Sequence, residues 1–198
     1  MTDGTRSPRR SVGAESPRRI LVAGSSGAGK STLARALSSL LSLPYTELDS
    51  LYHGPDWTPR ESFREDVERI VRTDAWVSEW QYTPVRPLLL ERAQVVIALD
   101  YSRPVVMARV VRRTLSRRLG RVELWNGNHE PSLGTFFSDR DHIVRWAWRM
   151  YGHNRVRLRE LDVAAADGTT VLHFRSPRQT ARWLRELEAQ PPSGRIFL

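Results

Sequence analysis

The chain lacks cysteine altogether, carries a single lysine and has no apolar run long enough to cross a bilayer. Without cysteine there is no disulfide framework, no thiol nucleophile and no thiolate metal site, which fits a reducing compartment. The first residues are charged and contain no apolar core segment. Neither a secretory leader nor a membrane anchor is therefore expected, and the default location is cytoplasmic. Acid is the minority charge: 31 Lys+Arg stand against 22 Asp+Glu, giving a net charge of +9. That excess admits nucleic acid as a partner but does not favour it, because the arginines are spread along the whole chain and form no single basic run. Anionic phosphate ligands account for part of it.

What is present suits one packed domain of 198 residues, with 40% hydrophobic residues and 7 tryptophans, as a monomer or homodimer. The one lysine, Lys30, falls inside Gly24-Ser25-Ser26-Gly27-Ala28-Gly29-Lys30-Ser31, which fits the phosphate-loop pattern G-x-x-x-x-G-K-[ST]. The context agrees with the pattern. Ile20-Leu21-Val22-Ala23 reads as a buried central strand, and Ser31 to Leu37 carries apolar residues at helical spacing. Glycines let backbone N–H groups turn inward around phosphate oxygens, and the following helix directs its positive end towards them. In a chain otherwise committed to arginine, retention of lysine here points to a need for a compact, mobile ammonium. Lys30 is expected to reach the β- and γ-phosphates of ATP, and Ser31, followed by Thr32, to ligate Mg²⁺.

Met1 to about Pro17 is Ser, Pro, Arg and Gly with almost nothing apolar and reads as a disordered tail, as does Gln190–Leu198. Between them lies one unit, 18–189. Tyr45–Asp49 reads as a second strand whose closing carboxylate, Asp49, would face a ligand. It would bind substrate or act as general base, or else serve only as a turn or cap. Tyr52 and Trp57 sit in a turn-rich loop, as pocket wall or as anchor, and His53 has no partner at metal-ligand spacing. Ala75–Glu79 and Gln94–Asp100 read as further strands, each ending on an acid. Glu79 and Asp100 are the two candidates for holding Mg²⁺ through water. From Arg103 a long helix places Val106, Met107, Val110 and Val111 inward, with Arg109, Arg112, Arg113, Arg117, Arg118 and Arg121 outward. It leads to a segment without period, so 112–137 reads as an arginine-rich lid. A further helix spans about Ser138 to Leu161, with Trp146 and Trp148 as packing residues. Thr169–Phe174 is a last strand, and Ser176-Pro177 opens a last helix.

From about Arg18 to Glu188 the sequence resembles the P-loop kinases of the nucleoside monophosphate kinase group, and is most similar to small adenylate-kinase-like proteins called putative topology-modulation proteins. The residues that carry this are the phosphate loop, Leu48-Asp49-Ser50-Leu51-Tyr52 with Trp57-Thr58-Pro59, Trp76-Val77-Ser78-Glu79-Trp80-Gln81-Tyr82, and Leu99-Asp100 followed by Arg109 and Arg113. The resemblance implies a three-layer α/β fold with a five-stranded parallel sheet in the order 2-3-1-4-5, and arginines that touch the transferring phosphate. One departure stands out. The similar proteins end the third strand Asp-Gly-Asn-Tyr, whereas this chain has Glu79-Trp80-Gln81-Tyr82. Trp80 would narrow the acceptor pocket or change what enters it.

The sequence is thus that of an ATP- and Mg²⁺-dependent phosphotransferase. Lys30, Asp49, Arg113 and Arg117 are its candidate catalytic residues; Gly24 to Thr32, Arg109 and Arg113 hold the nucleotide; Ser31, Glu79 and Asp100 hold the metal. The acceptor is a nucleoside monophosphate or a small metabolite. A nucleotide-binding regulator with little catalysis and a basic ATP-binding protein associated with nucleic acid are the alternatives.

Overall fold

A computed structural model describes residues 16–120, 124–128 and 143–191. Most of the expected tails, and the lid residues 121–123 and 129–137, lie outside these. The sheet is built from β1 (Arg19–Gly24), β2 (Trp76–Glu79), β3 (Val95–Leu99) and β4 (Thr170–Phe174). Side chains in β1 alternate strictly between two cores, as period two requires. Ile20 and Val22 pack with Leu33 and Leu37 of helix α1 (Lys30–Leu41), Val106 and Val110 of α5 (Arg103–Leu119), and Trp183 of the C-terminal helix. Leu21 and Ala23 pack on the opposite face with Val67 of α3 (Phe63–Val71) and Leu89 of α4 (Arg86–Arg92). Helices therefore cover both faces, which is why β1 and β3 read as unbroken apolar runs. Each fully buried Ile, Leu or Val contributes about 1.5–3 kcal/mol.

The sheet is parallel throughout and its order is β2-β1-β3-β4, so the five-stranded order 2-3-1-4-5 is corrected. The missing strand is 45–49. Only Tyr45 pairs with the sheet, through an isolated bridge to Val77. Pro44 has no N–H to donate, and its carbonyl takes the Val77 N–H at 2.8 Å. By Leu48 the chain has already turned into a short helix, α2 (Leu48–Tyr52), because there Leu48 reaches the second core completely buried. Asp49 consequently stands in the first turn of a helix and not at a strand end.

Of the helix expected over 138–161, residues 138–142 lie outside the described residues; the rest runs as α6 (Ile143–Arg159) and breaks at Glu160 before α7 (Leu161–Ala164). Its inward residues are Ala147, Tyr151 and Leu158. Trp146 and Trp148, expected to pack, are 38% and 55% exposed, since the helical period that buries Ala147 and Tyr151 turns them outward. On α5, Val111 is likewise exposed, while Thr114 takes the buried position beyond Val110. The last helix, α8 (Pro177–Ala189), is capped by Ser176, whose Oγ accepts the Gln179 N–H.

Candidate active site

The phosphate-loop residues connect β1 to α1, with Gly27 at φ +83° and Gly29 at φ +99°, a region that L side chains rarely adopt. Gly27 meets a second constraint. A Cβ there would lie 2.5 Å from Val110 Cγ2 and 2.8 Å from the Val106 carbonyl, so α5 presses directly on the loop. Arg109 donates from Nη1 to the Ala28 carbonyl at 2.9 Å, and Arg113 from Nη2 to Ser26 Oγ at 3.2 Å. Arg117, one turn further, lies 5.7 Å from the Trp125 ring centre. Spacing of four puts all three on one face of α5. Arg109 and Arg113, expected to point outward, thus turn onto the phosphate loop, Ser25 and Ala28 are buried within it, and a Cβ at Gly24 would lie 3.0 Å from Ala28 Cβ and 3.2 Å from Leu99 Cβ.

Lys30 turns back over the loop, its Nζ 3.5 Å from the Ser25 carbonyl. Burial holds its pKa below the ordinary lysine range; Glu79 and Asp49 oppose that, while Arg113 and Arg86 add to it. Glu79 is buried at the end of β2, where burial raises its carboxyl pKa against the pull of Lys30 and of hydrogen bonds from Ser31 and Tyr45. The Tyr45 hydroxyl donates to Glu79 Oε1 at 2.8 Å. Thr32 is exposed on the first turn of α1.

The other metal candidate is engaged elsewhere. Asp100 Oδ1 is 3.1 Å from Arg155 Nε and Oδ2 3.9 Å from Arg159 Nε, so this carboxylate ties α6 to the end of β3. Glu79, beside Ser31, fits a Mg²⁺ site better by its surroundings. The two positive-φ glycines and the lysine folded over them fit polyphosphate oxygens, since such a loop turns successive backbone N–H groups to one side at the start of a helix.

Across from the phosphate loop, Asp49 Oδ1 accepts from Gln81 Nε2 at 2.7 Å and from the Tyr82 hydroxyl at 2.5 Å. Tyr82, itself at φ +61°, also reaches His53 Nε2 at 3.2 Å. An aromatic wall surrounds this group. Tyr52 stacks on Tyr82 at 4.2 Å, and His53 stacks on Trp125 at 5.9 Å and meets Trp57 edge-on at 5.0 Å. Burial lowers the His53 pKa against the opposing pull of Asp49, which favours the neutral imidazole. Trp57 is both wall and anchor, because its N–H is held by Asn128 Oδ1 at 2.9 Å.

Sequence reasoning missed Gln81, Tyr82 and Asn128 as partners and treated His53 as isolated. Buried Asn128 donates to the Gly54 carbonyl at 2.8 Å across 74 residues. No local spacing encodes such a pair. For Tyr82 a signal did exist, since it stands three residues after the acid that ends β2.

No family profile and no curated protein matches the chain. Solved structures do. A shikimate kinase from Acinetobacter baumannii in complex with shikimate superposes with a TM-score of 0.52 and 18% identity, covering 87% of this chain and 93% of that one. A shikimate kinase from Bacteroides thetaiotaomicron gives 0.51 and 14%, covering 87% and 97%. A gluconokinase from Sinorhizobium meliloti 1021 fits more loosely, at 0.44 and 19%, with 86% and 89% covered. The narrower likeness to topology-modulation proteins has no counterpart among these, and what the matches establish is that this chain shares the α/β fold of the shikimate kinases, over nearly the whole length of both.

Proposed function

We propose that the protein is a P-loop kinase that transfers the γ-phosphoryl group of Mg-ATP to a small-molecule acceptor, in the manner of the adenylate-kinase-like proteins its sequence resembles. One observation carries this reading: the glycine loop between β1 and α1 turns through Gly27 and Gly29 at positive φ and has Lys30 folded back over it, with Nζ 3.5 Å from the Ser25 carbonyl. In this reading Lys30 is the phosphate-binding residue, Glu79 the metal-side acid and Asp49 the acceptor-side acid. A fold in common with kinases of a small hydroxylated acid supports it.

In this reading, Gly24 to Ser31 cradle the donor phosphates and Arg109 holds the loop in shape. Lys30 is the mobile cation of the transferring group, with Arg113 and Arg117 next to it on α5, and Ser31 with Glu79 holds Mg²⁺. Mg²⁺ held by these two residues would supply positive charge to offset that developing on the phosphate oxygens. Asp49 receives the acceptor hydroxyl. Gln81 and Tyr82 occupy its Oδ1 and fix the plane of the carboxylate, so a hydroxyl is taken at the other oxygen. In the transfer, that hydroxyl oxygen bonds to the γ-phosphorus, the bond from phosphorus to the β,γ-bridging oxygen of ATP breaks, and the hydroxyl proton leaves to Asp49. The work of the protein is positioning and electrostatics. The segment 112–137 acts as a lid; of its described residues, 112–119 belong to α5 and Trp125 stacks on His53 of the aromatic wall.

Calorimetric titration with a non-hydrolysable ATP analogue and Mg²⁺ tests the donor half. Wild type is expected to bind, and Lys30→Ala to lose that binding while remaining folded. Turnover should fall by about 10²–10³-fold or more, the loss typical of removing one group that stabilises transition-state charge. Undiminished activity in folded Lys30→Ala would refute the kinase.

A further inference from the structure

The Tyr82 hydroxyl stands between two side chains and has one proton to give. It lies 2.5 Å from Asp49 Oδ1 and 3.2 Å from His53 Nε2. The shorter contact is to a carboxylate oxygen, which can only accept, so the tyrosine proton belongs there. What the tyrosine oxygen turns to His53 is then a lone pair. A hydrogen bond across that gap requires the imidazole to donate, which puts its proton on Nε2. The other ring nitrogen agrees with this. His53 Nδ1 is buried without a hydrogen-bond partner, and a proton there would be a buried donor left unused. Burial lowers the pKa of this histidine, against Asp49 and the Trp57 backbone, so the form with a single ring proton is favoured.

The surroundings hold the ring in this orientation. Tyr52 and Trp57 each meet it edge-on at 5.0 Å, and Trp125 stacks on it at 5.9 Å. Its backbone N–H donates to the Asp49 carbonyl at 3.0 Å, closing the last turn of α2. We propose that His53 is a positioning residue of the acceptor site: by donating from Nε2 to Tyr82 it commits the tyrosine proton to Asp49 Oδ1, and so leaves Asp49 Oδ2 free as the base for the acceptor hydroxyl. His53 acts through Tyr82 and takes up no proton itself. In the transfer the hydroxyl proton goes to Asp49 Oδ2, while the protons on Tyr82 and His53 stay where they are. With the imidazole proton on Nδ1 instead, Nε2 would compete for the tyrosine proton. Two oxygens 2.5 Å apart would then face each other through lone pairs, and the carboxylate would be driven from its place.

The role of Asp49 as base rests on the kinase reading, whereas the direction of the two hydrogen bonds does not. Two measurements on full-length protein test the proposal. Nitrogen NMR of protein with labelled histidine, at neutral pH, should show His53 protonated on Nε2 and bare on Nδ1, with the Nε2 proton protected from exchange with water. Tyr82→Phe should remove that protection. A proton on Nδ1, or an Nε2 proton indifferent to Tyr82→Phe, would overturn the proposal. The second measurement is consumption of Mg-ATP, followed with water alone and with AMP or shikimate as probe acceptors. His53→Phe keeps an aromatic ring in the wall but deletes the donor; kcat should fall about tenfold while KM for ATP stays within about twofold. His53→Gln, whose amide can donate to Tyr82, should recover part of that loss. On a Tyr82→Phe background His53→Phe should cost nothing further, because its partner is already gone. Equal losses on both backgrounds, or a Gln variant no better than the Phe variant, would reduce His53 to a packing residue and overturn the proposal. If wild type consumes no ATP under any of these conditions, the kinase reading falls, and the hydrogen-bond direction is judged by NMR alone.

Discussion

At the scale of single residues, two carboxylates that look alike in sequence have been given different work. Glu79 and Asp100 both follow apolar strands, yet Asp100 is neutralised by Arg155 and Arg159 while Glu79 is turned to Lys30 and Ser31. Glu79→Gln is therefore expected to weaken Mg²⁺-dependent binding of an ATP analogue by about tenfold or more, and Asp100→Asn to leave it nearly unchanged while loosening α6. Titrations with and without Mg²⁺, alongside thermal unfolding, read both effects; the reverse pattern would return the metal role to Asp100. His53 gives a pH signature. Burial lowers its folded pKa from an ordinary value of 6.5, so the unfolded chain takes up a proton first as pH falls. Its contribution is fully present above the ordinary value and is lost as pH drops through the lowered one. Urea unfolding at pH 7.5 and at progressively lower pH should show a steeper decline for wild type than for His53→Gln.

At the scale of elements, the two single 3-10 turns Pro55–Trp57 and Trp125–Gly127 are joined across the chain. Each contains a left-handed residue, Asp56 at φ 54° and Asn126 at φ 56°, which turns backbone groups towards the other. Asn128 links them through the Gly54 carbonyl, the Trp57 N–H and the Trp125 carbonyl. Asn126 adds a hydrogen bond to the His53 carbonyl. Asn128→Ala removes a buried side chain whose partners are backbone groups, a change worth about 1–3 kcal/mol. Because the bonds are shared, the expected outcome is faster amide exchange in 53–58 and in 124–128 together, with β1 and β3 unaffected. Exchange measured by mass spectrometry checks this, and acceleration confined to one segment would show that the two turns are independent.

The same elements show how far a sequence can be read. Strands β1 and β3 were legible as runs because a strand buried on both faces leaves an apolar block with no competing period, while β2 and the partly exposed edge strand β4 were legible as short β-branched and aromatic runs. The segment 45–49 was not. Its alternation suits a strand, but Pro44 and the burial of Leu48 end the pairing after one residue, and burial is a property of the assembled core. Likewise Trp146 and Trp148 look like packing residues until the helix is rotated to bury Ala147 and Tyr151.

At the scale of the whole molecule, the charge of +9 is spread over sites with separate tasks. Arg109 and Arg113 are spent on the phosphate loop, Arg155 and Arg159 on Asp100, and Arg64 and Arg69 on neighbouring acids of α3. Among the described residues these arginines are engaged at separate sites, which does not favour a nucleic-acid backbone as their ligand. Binding to duplex DNA or RNA should accordingly be weak and vanish between about 50 and 200 mM salt, whereas acceptor binding at a half-buried site should be far less salt-sensitive. Fluorescence anisotropy with labelled duplexes measures the first, and tight binding that survives physiological salt would restore a nucleic-acid role.

The sequence by itself determined the donor side: a glycine loop between an apolar strand and a helix, with the only lysine of the chain inside it, since local spacing suffices to aim backbone N–H groups and one ammonium at a phosphate. The tertiary structure alone decided the acceptor side. Asp49 with Tyr82 and Asn128 with Gly54 are pairs separated by 33 and 74 residues. A side chain's partner at such distances is set by how helices and loops pack on the sheet, and no periodicity along the chain records it.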